Sequence, residues 1–110
     1  MVTWDDVVAL ATALPEVEVT TSYGTPALKV AGKLMGRLRN DSDGSLALKT
    51  SEKEALVASD DPAYFTTPHY DGYAYVLVNL DLVDPAQLPE LLDDAWHLAA
   101  PAKSRKQRNA

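Results

Sequence analysis

Hydrophobic residues recur with helical spacing at both ends of this chain and with a period of two between them. That order constrains the fold more than any other feature of the sequence. Near the start, Trp4, Val7, Val8, Leu10, Ala11 and Leu14 form one apolar stripe, which predicts a helix over about Trp4 to Leu14. Thr3 can cap it, Asp6 stands where a capping box needs an acceptor, and Pro15 ends it by disfavouring helical dihedrals in the residue before. Val17-Glu18-Val19-Thr20-Thr21 then alternates as a strand does, and Tyr23-Gly24-Thr25-Pro26 reads as a turn. Ala27–Val30 and Lys33–Arg39 read as two strands joined across Ala31-Gly32, a hairpin signal. Asn40-Asp41-Ser42-Asp43-Gly44 is a polar loop, and Leu46 and Leu48 mark a further strand.

A short helix is predicted from Ser51, with Ser51 as cap, Glu54 closing the box and Leu56 and Val57 as its apolar face. Tyr64–Thr66 is a brief strand. Ala74–Leu80 is the most apolar one, expected to be central and buried on both faces. Asp84 and Pro85 suit the N-cap and first position of a last helix, whose core face is Leu88, Leu91, Leu92, Ala95, Trp96 and Ala99 and which Pro101 ends. The expected fold class is α+β: an antiparallel sheet of about five strands, N- and C-terminal helices packed on one face, a short helix in between. The expected domain is 1–102, followed by a basic disordered tail over 103–110.

A chain of 110 residues suits one domain and can bury a core without a disulfide or metal staple. The absence of cysteine excludes disulfides, thiolate nucleophiles and cysteine-ligated zinc or iron–sulfur centres. Neither a signal-peptide pattern nor an apolar run long enough for a membrane span is present, so a cytoplasmic location is expected. Asn40-Asp41-Ser42 matches a glycosylation sequon, taken as chance in such a chain. The net charge is −6, unevenly distributed: residues 24–50 and the tail are basic, whereas residues 51–102 hold ten acids and one base, Lys53. An acidic body weakens a simple claim of polyanion binding.

Two groups of residues are candidates for a site. Alternation along the strands puts Leu28, Val30, Leu34, Gly36, Leu38, Leu46 and Leu48 on the core side and Lys29, Met35, Arg37, Arg39 and Lys49 on the other. With Lys33, the cations Lys29, Arg37, Arg39 and Lys49 would form a face for phosphate or another anion. The alternative is an ordinary solvated face whose charges pair with acids of the helices. The second group is a loop with His69, Tyr70 and Tyr73, followed by Tyr75: either a recognition surface or a cover for a core edge. His69 and Asp71 could pair as acid and base, but nucleophile elbows and phosphate-binding glycine loops are missing. His69 and His97 are poorly placed for a metal site, and an acidic ridge of Asp84, Glu90, Asp93 and Asp94 is the weak alternative for a divalent ion. No enzyme activity, metal or cofactor is expected.

Three segments carry a resemblance. Ser22-Tyr23-Gly24-Thr25-Pro26-Ala27-Leu28-Lys29-Val30 with Gly32-Lys33 resembles the signature hairpin of the MmcQ/YjbR family. Thr67-Pro68-His69-Tyr70 with Gly72-Tyr73-Ala74-Tyr75-Val76 is similar to its second signature, and Leu91-Leu92-Asp93-Asp94-Ala95-Trp96 to its closing helix. Tyr75 stands where many members carry tryptophan. The resemblance spans about residues 3–102 and implies a frataxin-like α+β fold and a DNA-binding assignment. The expected function is a non-catalytic binding module. DNA would be held weakly and salt-dependently, through phosphates on Lys29, Lys33, Arg37, Arg39 and Lys49 with aromatic support. The alternative is a protein or small-ligand partner on the His69–Tyr75 loop, the chain being a monomer or weak homodimer.

Overall fold

The sheet follows from the hairpins. A computed structural model describes residues 2–22, 24–39 and 45–109. Helix α1 (Trp4–Thr12) starts at the capping box read from the sequence: Thr3 Oγ1 accepts from the Asp6 amide, and the Asp6 carboxylate accepts from the Thr3 amide at 2.9 Å. Strands β1 (Val17–Ser22) and β2 (Thr25–Val30) form one antiparallel pair, and β2 and β3 (Lys33–Leu38) form the next. Ala31 and Gly32 join β2 to β3 with φ of 47° and 83°. Positive φ at both central residues is what a tight two-residue hairpin with the sheet's own twist requires. β4 (Ser45–Lys49), β5 (Tyr64–Phe65) and β6 (Tyr75–Asn79) complete a six-stranded antiparallel sheet in the order β1-β2-β3-β4-β6-β5. The sheet therefore has one strand more than expected. β6 is not central but next to the edge, although Val76, Leu77 and Val78 are all buried.

One face of the sheet carries the main core. Leu28, Val30, Met35, Leu46, Leu48, Val76 and Val78 meet Val7 and Ala11 of α1 and Leu88, Leu92, Ala95 and Trp96 of α3 (Leu88–Ala99). The α3 helix lies over β2, β3 and β4, and α1 lies beside it against β1. Asp84 caps the 3-10 turn at Pro85–Gln87 that leads into α3, accepting from the Ala86 amide at 2.9 Å. No helix is long and apolar enough among the described residues to cross a membrane.

Three expectations are corrected. The period-two reading put Leu34 in the core and Met35 outside; the reverse holds, because the register passes from Leu28 opposite Gly36 to Lys29 opposite Leu34. Met35 is the extra residue of a bulge, and an extra residue inverts the faces on one side of it. The short helix α2 runs Lys53–Val57 with no side-chain cap. Ser51 is diverted to α3: its amide and hydroxyl both donate to Asp94 at 2.9 Å. The tail is not disordered over 103–109 but forms helix α4 (Ala102–Asn109). Polar contacts dock it. Arg105 donates to the Ala100 carbonyl at 2.7 Å and so satisfies the open end of α3, Ser104 bonds Glu16, and Arg108 pairs with Asp93 at 2.5 Å. The Asn40–Gly44 loop with its sequon, and Tyr23 of the first signature, lie outside the described residues.

Candidate binding groove on the open sheet face

Helices cover one side of the sheet, so side chains on the other must make their own cover. Register fixes who faces whom: Thr20, Ala27, Arg37, Ala47, Leu77 and Phe65 lie side by side across the strands on this open face. Ala27 and Ala47 flank Arg37 with methyl groups only, which leaves room above the sheet. Tyr70 fills part of that room, packing with Ala47 and Leu77 beside Phe65 and Tyr75 as a second, smaller core.

Four of the five predicted cations map to this face. Arg37 is half-buried; one guanidinium nitrogen donates to Thr25 Oγ1 at 3.0 Å and the other to the Tyr70 hydroxyl at 3.1 Å. Arg39 stacks over Phe65 at 5.8 Å and Lys49 over Tyr75 at 5.9 Å, each within range of a cation–π contact. Lys29 stands between Glu18 and Leu34 in the register, with an opposite charge across the strand pair. Lys33 is the exception. It pairs with Val30, a core residue, and so stands at the hairpin end on the helix side. Three of these four cations therefore meet an aromatic residue, and Arg37 is engaged by Tyr70 and Thr25 instead of standing open.

The aromatic group does come together. His69, Tyr70, Tyr73 and Tyr75 line a groove of about 540 Å³ with Leu34 and Arg37. The His69 ring meets Tyr70 edge-on at 5.0 Å. Tyr70 is buried whereas Tyr73 is 63% exposed, so the group supplies both a core cover and an open platform. Asp71 lines a broader cleft of about 1350 Å³ on the α2 side of the loop, not the groove that His69 lines, so the two do not form the acid–base pair that their spacing allowed. Three of the four acids of the ridge have other duties: Asp84 caps a turn, Asp93 pairs with Arg108, and Asp94 holds Ser51 and Thr50.

Sequence reading missed Leu34, Phe65 and Lys53. Leu34 was lost to the bulge. Lys53 had a visible signal, being the one cation among ten acids in residues 51–102. Its ammonium donates to the carbonyl oxygens of Tyr70 at 2.5 Å and Tyr73 at 2.8 Å.

Burial holds the Tyr75 hydroxyl above its ordinary pKa of 10.0; Arg37 opposes this in part and Tyr70 adds to it. Tyr64 is raised by burial and by Asp61 and Asp84. A raised folded-state pKa means that the unfolded chain releases these protons first. Stability is then intact below about pH 10 and falls as the pH climbs from there toward the folded values. Urea unfolding between about pH 9 and 11 should show this decline, and Tyr75→Phe should flatten it. An equal decline in the variant would place its origin elsewhere.

Comparison with known proteins supports the same architecture. The crystal structure of Deinococcus radiodurans protein DR2400, with a DUF419 domain, superposes with a TM-score of 0.78 over 99% of this chain and 89% of that one. At 24% identity that likeness is one of fold. Uncharacterized protein Rv2570 of Mycobacterium tuberculosis and Uncharacterized protein Mb2600 of Mycobacterium bovis are each 34% identical over 120 residues, covering 92% of this chain and 91% of each relative. The YjbR family model matches residues 12–98, a span from the end of α1 to the end of α3 that contains the whole sheet and the aromatic groove, and the chain belongs to the YjbR family.

Proposed function

We propose that this chain is a non-catalytic module that binds single-stranded nucleic acid on the open face of its sheet. A base would stack in the aromatic groove, and the backbone would run over the neighbouring cations. The observation that carries the reading is the groove itself: four aromatic or imidazole rings and Leu34 around Arg37, with Lys29, Arg39 and Lys49 on the same face. Stacking on aromatic side chains contributes about 1–3 kcal/mol per base and tolerates any sequence.

Magnitudes favour a single strand over a duplex. Duplex binding rests mainly on phosphate contacts, and here Arg37 is tied to Tyr70 and Thr25, Lys33 faces away, and the whole chain carries −6. A duplex also keeps its bases stacked inside, out of reach of Tyr73. Three or four phosphate contacts on a single strand give a log–log salt slope of about −2 to −3.

Anisotropy with labelled oligo(dT) and with a duplex, at about 50 and 200 mM salt, tests this. Preference for the single strand with a shallow slope supports the reading. Duplex binding equal to or tighter than single-strand binding overturns it. A second reading has one observation in its favour: a groove of about 540 Å³ also suits a small planar ligand or a partner's side chain. Binding that ignores salt and is absent for oligo(dT) would point there.

A further inference from the structure

We infer that Lys53 is the positioning residue of the aromatic groove, its ammonium reaching from α2 to fix the backbone of the loop that presents Tyr70 and Tyr73. The inference rests on the groove being the binding site. The two acceptors of Lys53 are the ends of one turn. The Tyr73 amide donates to the Tyr70 carbonyl at 3.0 Å, and Lys53 Nζ bonds that same carbonyl and the Tyr73 carbonyl, at 2.5 and 2.8 Å. One cation thus spans the turn that sets where the Tyr73 ring stands.

The loop has few other ties. The amides of Tyr70 and Asp71 both donate to the Thr67 carbonyl at 2.9 Å, and the Tyr70 hydroxyl accepts from Arg37. These fix the Tyr70 end. On the far side the Thr50 amide donates to the Ala74 carbonyl at 3.0 Å; Tyr73 lies between these ties and is mostly exposed, so packing does not hold its ring and the backbone must. A lysine in an acidic stretch would ordinarily face solvent or a carboxylate. Glu52 and Glu54 flank Lys53, yet its ammonium goes to two neutral carbonyls instead. Charged donors make the stronger hydrogen bonds to backbone acceptors.

The placement has a geometric consequence. Tyr73 lines both the sheet-face groove and the broad cleft behind it, and Lys53 lines only that cleft. The loop is a wall between two depressions, braced from the rear.

Lys53→Met keeps most of the apolar length of the side chain and removes the donors; Lys53→Arg keeps a charged donor. In the full chain, amide hydrogen exchange and oligo(dT) binding are read for both variants. For Lys53→Met the exchange of the Asp71–Tyr73 amides should quicken about tenfold or more, with β4 and β6 unchanged, and affinity should fall about tenfold, the size of losing a charge-assisted bond. Lys53→Arg should keep most of the wild-type protection and affinity. A merely structural lysine would instead lower stability everywhere and leave the loop's relative protection as it was. Unchanged exchange at Asp71–Tyr73 overturns the brace, and quickened exchange with undiminished binding overturns its role in the site. Exchange needs no ligand, so if the wild-type chain bound no oligonucleotide, the nucleic-acid reading would fail while local quickening in Lys53→Met still upheld the brace.

Discussion

Replacing Trp96 with alanine is expected to remove about 3–5 kcal/mol of folding stability, a large part of the roughly 5–15 kcal/mol that domains possess. Trp96 is completely buried in α3, at the centre of the main core. Three contacts define its place. The indole N–H donates to the Pro15 carbonyl at 2.8 Å, just beyond the end of α1. The Arg108 guanidinium of α4 lies 4.8 Å over the ring, and His97 meets it edge-on at 5.2 Å. One side chain thus ties the first helix, the last two helices and the sheet together. Urea denaturation gives the size of the effect. Trp96→Phe should lose less, because it keeps most of the apolar volume and drops the hydrogen bond. Arg108→Ala should lose about 1 kcal/mol or less, since it gives up one partly exposed ion pair and one stacking contact. A loss under about 1 kcal/mol for Trp96→Ala would mean that the cavity collapses freely, against the close packing of such interiors.

The same residue shows what the sequence discloses and what it withholds. Helical spacing alone places Trp96 on the core face, as it places Val7, Ala11, Leu88 and Leu92, because period and burial are local properties. Capping boxes and tight turns are equally local, hence Thr3 with Asp6 and Ala31 with Gly32 were legible. Misreadings arose where distant residues compete. Ser51 looks like a cap until Asp94, over forty residues away, takes both its amide and its hydroxyl. The tail looks too polar to order, and Glu16, Asp93, Trp96 and the Ala100 carbonyl together give its polar groups somewhere to dock. At the groove, alternation gives the face of each residue and not its neighbours. Arg37 and Arg39 face the open side as alternation requires, but no local rule says that Tyr70 and Phe65 will meet them. A bulge leaves no sequence mark, so strict alternation puts Leu34 on the wrong face.

Tyr73→Ala carries the largest expected effect on function: oligo(dT) affinity should fall roughly 10- to 100-fold, the equivalent of one lost base stack. The reason is the division of labour along the loop. Tyr70 is buried over Ala47 and Leu77 and holds Arg37, so its removal would disturb the small core and the groove at once. Tyr75 is a strand residue half-covered under Lys49. Tyr73 is the ring with free area, 63% exposed and turned toward the groove. Stability should stay within about 0.5 kcal/mol, because an exposed side chain has little packing to lose. Tyr73→Phe should retain most of the affinity, since the ring face and not the hydroxyl makes the stack. Leu82→Ala is the control: it deletes a side chain of similar exposure, 53%, outside the groove, and both quantities should hold. Equal affinity for Tyr73→Ala and wild type, at matched salt, would remove stacking from the account. Binding would then rest on Lys29, Arg39 and Lys49 alone, and a surface of so few charges on a chain of net −6 could retain a polyanion only at low ionic strength.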